Sequence, residues 1–139
     1  MAAFNKINAF VEHLAEKVHN LGADQLAVAL TAAANAPVDS NSVLADLTQI
    51  SYTNLSSRNI TTSSSSQTSG TYKLVVADLV LTASGTVAAF RYVVCYNDTP
   101  TSPADPLIGW YDYGSDLTLL NGETFTIDFD GTNGLLQIA

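Results

Sequence analysis

The groups able to do chemistry in this chain are few, and their spacing does not suit it. His13 and His19 are the two imidazoles, and Cys95 is the one thiol. Six residues apart on a helix, the histidines point to opposite sides. The i, i+4 spacing of a helical metal pair is therefore missing, and both rings are expected in solvent. Cys95 lies in the apolar run Tyr92-Val-Val-Cys-Tyr96 with no cation or imidazole close in sequence. A reactive thiolate needs such a neighbour, so Cys95 is expected to be a small buried hydrophobe.

Carboxylates are more plentiful. Asp98, Asp105, Asp112, Asp116, Glu123, Asp128 and Asp130 fall within Tyr92–Ala139, a stretch with no Lys, Arg or His. Two of them could form a glycosidase pair, but nothing marks any of the seven as buried. There is no Gly-x-Ser-x-Gly elbow and no Gly-rich phosphate loop. The segment Asp128-Phe-Asp-Gly-Thr-Asn-Gly134 faintly resembles a calcium loop. Its glycine comes too early, however, and no distant Glu follows. A hairpin turn explains the same residues. No residue is assigned a catalytic, cofactor-binding or metal-binding role. The expectation is a structural or binding module and not an enzyme.

Composition bounds the partners. The five bases Lys6, Lys17, Arg58, Lys73 and Arg91 are scattered, and the net charge is −8. Nucleic-acid binding needs clustered cations to displace phosphate counterions, so it is not expected. No run approaches the roughly 18 apolar residues of a membrane span, and the N-terminus lacks a secretory pattern. The expected setting is the inside of a cell, or a virion assembled there. Only 13% of residues are charged, about half the usual share. Ser and Thr fill the gap, which suits exposed sheet faces and surfaces covered by another protein.

These residues must be positioned by a mainly β scaffold. Its 139 residues fit one domain, here divided as an N-terminal helix or arm over 1–22 and a β-sandwich over 23–139. Phe4, Ile7, Val11, Leu14, Val18 and Leu21 recur at spacings of three and four, which predicts one helical stripe. That helix could lie on its own sheet or dock on a neighbour. Leu26, Val28 and Leu30 alternate with Gln25, Ala27, Ala29 and Thr31, which predicts a half-buried strand. Residues 32–42 read as a loop, and 43–52 fit either a helical turn or extended chain. The Ser/Thr run over 61–70 is either a surface loop or a polar edge strand.

From Thr71 onward the pattern is β. Short strands recur about every ten residues, with an excursion over Asp98–Pro106 and a hairpin predicted at Asn121-Gly122. About seven or eight strands at that interval predict an antiparallel sandwich or jelly roll. Tyr111 and Tyr113 share one face of their strand and Trp110 faces the other. One set should be core, and the other is a candidate exposed patch.

The stretches His19-Asn-Leu-Gly-Ala-Asp-Gln-Leu-Ala-Val-Ala-Leu-Thr31 and Leu44-Ala-Asp-Leu-Thr-Gln-Ile50 resemble a pattern of small virion proteins of tailed bacteriophages. So do Arg91-Tyr-Val-Val-Cys-Tyr-Asn-Asp98, Pro106-Leu-Ile-Gly-Trp-Tyr-Asp-Tyr-Gly114 and Gly122-Glu-Thr-Phe-Thr-Ile-Asp-Phe129. The resemblance spans nearly the whole chain and carries no catalytic residue. Its nearest role is a capsid cement, or decoration, protein of a short-tailed phage. That implies a jelly-roll-like fold, self-association as a homodimer or homotrimer, and binding to the major capsid protein on the outer surface of the virion. It also implies synthesis in the bacterial host cytoplasm. A receptor-binding tail or fibre component is the alternative. The candidate interface residues are Phe4, Ile7, Val11, Leu14, Val18, Trp110, Tyr111 and Tyr113.

Overall fold

A computed structural model describes residues 2–139. In chain order the elements are β1 (Asn5–Lys6), α1 (Ala9–Ala15), β2 (Leu26–Thr31), β3 (Asn59–Ile60), β4 (Thr62–Thr68), β5 (Thr71–Val76) and β6 (Leu79–Thr82). Then follow β7 (Phe90–Asn97), β8 (Leu107–Leu117), β9 (Thr124–Ile127) and β10 (Leu136–Ile138). They form a five-stranded sheet β1-β8-β7-β2-β3, a three-stranded sheet β10-β5-β4 and the pair β6-β9. Every pairing is antiparallel. The chain is thus mainly β, in the antiparallel, sandwich-like arrangement that its alternating pattern predicts.

The large sheet is the centre. Register places Leu26, Val28 and Leu30 beside Asn97, Cys95 and Val93 on one face. Ala27, Ala29 and Thr31 lie beside Tyr96, Val94 and Tyr92 on the other. All six residues of β2 are buried, so the strand is covered on both sides and not half-buried as its alternation predicts. The alanines do not face water. The segment 32–58, which carries the buried Pro37, packs Leu44, Leu47, Ile50 and Tyr52 against the core that contains both alanines. Small side chains on the strand leave room for that cover.

The same segment closes the free edge of β2. Ile50 N donates to Leu30 O at 3.0 Å, and Leu30 N donates to the Tyr52 hydroxyl at 3.0 Å. Arg58 Nη1 donates to Val28 O at 2.6 Å, and its guanidinium lies 3.6 Å from the Tyr52 ring centre. Unpaired strand edges invite association, and this one is fully occupied by its own chain.

The N-terminal segment departs from the predicted stripe. Its helix covers only Ala9–Ala15, and Phe4 to Ile7 are extended against β8, with Asn5 opposite Trp110 and Lys6 opposite Gly109. Ile7 N donates to Ile108 O at 3.1 Å, and Asn8 N donates to Asp39 O at 2.9 Å. Pairing with a partner strand 100 residues away outweighs local helix periodicity. The inward set is Ile7, Phe10 and Leu14, while Val11 is 51% exposed. Lys17 adopts a left-handed φ of 66° and turns the chain back.

The Ser/Thr run is an edge strand: β4 pairs with β5 on one side only. At Asn121-Gly122 the chain turns as predicted, with Gly122 at φ 84°. The turn does not join a hairpin, because β8 pairs with β7 and β9 pairs with β6. The segment Asp130–Gly134 is likewise a turn. Asp130 Oδ1 accepts from the amides of Thr132 and Asn133 at 2.8 and 2.7 Å, and these bonds hold its carboxyl below the usual range.

Candidate functional site

Three features stand out on this scaffold. The first is an aromatic groove. Tyr111 and Tyr113 leave the same face of β8, as alternation requires, and meet Phe125 of β9. The Tyr113 and Phe125 rings stand edge-on at 5.4 Å. With Val93, Ile127, Thr126, Asp128 and Ala2 they line a hollow of about 140 Å³. Tyr113 is 52% exposed. Tyr111 lies deeper, between Phe4 at 5.1 Å and Phe129 at 6.3 Å, and burial pushes its hydroxyl pKa well up. Trp110 points to the opposite face, where it borders a separate hollow with Pro37, Val38 and Asp39.

Of the sequence-predicted interface residues, the structure brings Phe4, Tyr111 and Tyr113 into one aromatic row. It does not bring in the others. Ile7 is fully buried, Val11 is exposed on its own helix face, and Leu14 and Val18 are part-buried. Phe125 and Asp128 complete the groove but were not among the predicted residues. The alternation of Phe125, Ile127 and Phe129 placed them on a strand. The strand's neighbour was the missing piece of information.

The groove's phenol and phenyl edges can stack and hydrogen-bond, the combination favoured where proteins meet. On the other face of β8, Arg91 grips Asp112 bidentately, Nε to Oδ1 at 2.8 Å and Nη2 to Oδ2 at 2.9 Å. The ion pair holds the Asp112 carboxyl below its usual range. Its fork geometry ties β7 to β8 on the face away from the aromatic row.

The second feature is a histidine cluster, and here the expectation of two solvated rings is overturned. Because the helix ends at Ala15 and Lys17 reverses the chain, Val18 N donates to His13 O at 2.8 Å. The two rings come to 6.0 Å, and His19 packs on Phe10 at 5.2 Å. His19 is 6% exposed. Its Nδ1 meets Asn97 Nδ2 at 3.1 Å, and the same amide donates to Asp24 Oδ2 at 2.6 Å. Burial, followed by the neighbouring His13, lowers the His19 pKa to about 4, against the pull of Asp24. His19 is therefore a neutral packing element at pH 7. It also borders a hollow of about 410 Å³ with Leu14, Tyr72 and Ile138. Cys95 is fully buried, and that burial pushes its thiol up to about 12. Among the described residues no three His, Cys, Asp or Glu side chains are grouped as a metal site.

The third feature is the edge of β4. From Ser63 to Thr68 every residue is exposed, and the strand Thr62-Ser-Ser-Ser-Ser-Gln-Thr68 contains neither charge nor proline. Ser65 turns toward Gly22, where a Cβ would sit 2.8 Å from its Oγ, and that Oγ hydrogen-bonds the Tyr72 hydroxyl at 2.8 Å. Together the features offer aromatic edges, hydroxyls and open main-chain groups, all of which are means of contact. No family model, curated protein or solved structure matches this chain.

Proposed function

We propose that this chain is a non-enzymatic virion protein that binds the outer surface of a phage capsid and cements neighbouring major capsid proteins. The observation that carries the reading is the aromatic row Phe4, Tyr111, Tyr113 and Phe125, part-exposed on a scaffold whose central strands are covered on both faces. A rigid mount with a stacking surface suits a clamp. A ligand that binds only the assembled shell stabilises it by mass action, and many identical sites would multiply that gain. The jelly-roll-like sandwich and self-association implied by the family resemblance fit the same role.

The test is the copy number of the chain in purified virions, measured by quantitative mass spectrometry against the major capsid protein. Abundance comparable to the capsid protein is expected. A few copies per particle would replace this reading with the second one, a tail or fibre component that binds a host receptor. That alternative draws on Tyr113 beside Asp128 in the groove, an aromatic face with a carboxylate rim suited to a glycan. Absence from the particle would overturn both.

A further inference from the structure

The outer sides of two strands in this molecule are treated differently. The edge of β2 is closed by Ile50, Tyr52 and Arg58. The edge of β4 is left open over seven residues. Proteins ordinarily protect such edges with lysine, proline, an inward charge or a covering loop. Here a single register shift between Thr62 and Ser64 disturbs the start of the strand, and Ser64 to Thr68 run in regular register. The nearest cation, Lys73, is paired with Ser66 on β5, but its Nζ reaches away to Thr132 O at 2.7 Å.

We propose that β4 pairs antiparallel with β4 of a second copy of this chain about a two-fold axis, joining two three-stranded sheets into one of six strands. Three observations select this occupant. A two-fold perpendicular to two identical strands makes them antiparallel, and such a contact closes on itself. A register centred on Ser65 places Ser64 opposite Ser66, Ser63 opposite Gln67 and Thr62 opposite Thr68, so each hydroxyl or amide meets another. Finally, a chain of net charge −8 meets least repulsion from its own copy where like charges are absent, and no charged residue occurs from Asn59 to Tyr72. Strand addition draws affinity from main-chain hydrogen bonds, so the contact does not require an apolar patch. The inference shares with the proposed function only the expectation of self-association. It is tested on the purified protein alone, so its failure would leave the virion measurement standing.

The experiment compares the solution mass of the wild-type chain with that of Ser64→Glu/Ser66→Glu by light scattering after size exclusion. Both positions lie on the face away from Ser65, and the acid at 66 stands opposite Lys73 in its own ladder, so the fold should be retained. Across the axis the two acids oppose each other. The wild type should be a dimer of the 14.7 kDa chain, and the variant a monomer with unchanged circular dichroism. Val80→Glu/Thr124→Glu adds the same charge on the exposed face of β6-β9, outside the groove, and should remain dimeric.

A wild type that is monomeric up to its solubility limit, or trimeric, overturns the proposal. So does a dimer that survives the β4 substitutions, or one that the β6-β9 substitutions also dissolve. Should the β4 variant lose its fold, amide hydrogen exchange of the wild type decides. Protection of Ser63–Gln67 that rises with protein concentration supports the pairing, and protection independent of concentration overturns it.

Discussion

β2 and β4 are strands of nearly equal length in one chain, yet they share almost no physics. Leu26–Thr31 is covered on both faces and sealed along its edge, so that even its alanines and Thr31 are buried. Thr62–Thr68 is bare on nearly every side. The first is held by apolar burial, about 1.5–3 kcal/mol for each large side chain removed from water. The second is held by its ladder with β5 and by hydroxyl bonds such as Ser65 to Tyr72. One strand is the scaffold, and the other is surface the scaffold can offer to something else.

Truncation should expose the contrast most sharply. Leu30→Ala removes a fully buried side chain beside Val93 and should cost about 2–5 kcal/mol in urea unfolding. Ser66→Ala on β4 should stay within about 0.5 kcal/mol. Equal shifts would erase the distinction between the two strands.

Acid should act through the histidine that packs beside them. The His19 pKa is about 4 folded against 6.5 when free. The unfolded chain therefore binds its proton first as pH falls. The stability His19 contributes is fully present above about pH 6.5, declines between 6.5 and 4, and is lost below. The fall is up to about 3 kcal/mol by linkage. A His19→Gln variant should flatten stability over that window. If wild type and variant run parallel there, the ring is not the titrating group.

A smaller effect is expected where β1 meets the scaffold. A Cβ at Gly109 would run into the Phe4 ring and come within 2.6 Å of Asn5 O. Gly109→Ala should detach β1 at a cost of about 1–3 kcal/mol. A changed emission from Trp110, the single tryptophan and the neighbour of Asn5, would report it. Unchanged emission and stability would mean that β1 adds nothing to the sheet.

The sequence was legible where local pattern and final neighbour agree. Tyr72 to Val76 and Phe125 to Phe129 alternate because one face of each meets the core, and period two records that. It misled where a distant segment decided the outcome. Nothing in Ala27-Val-Ala shows that residues 32–58 will cover the alanines. Phe4 and Ile7 are three apart in a helix and in an extended chain alike, and only β8 selects between them. The His13–His19 contact depends on one left-handed residue, Lys17, which no spacing rule anticipates. Of the candidate site, Tyr111 and Tyr113 could be read from the sequence, whereas Phe125 joins them only through the β6-β9 pairing.

The positive side chains have one more consequence. Arg58 is engaged with Val28 O, Lys73 with Thr132 O and Arg91 with Asp112. Among the described residues only the side chains of Lys6 and Lys17 hold no such bond. Seen from a distance, the molecule is a nearly uniform anion, and its bases serve as internal fasteners. Its encounters with another anion should be slow in dilute buffer and quicken as ions screen the field, while a cationic surface should draw it in from well beyond contact range.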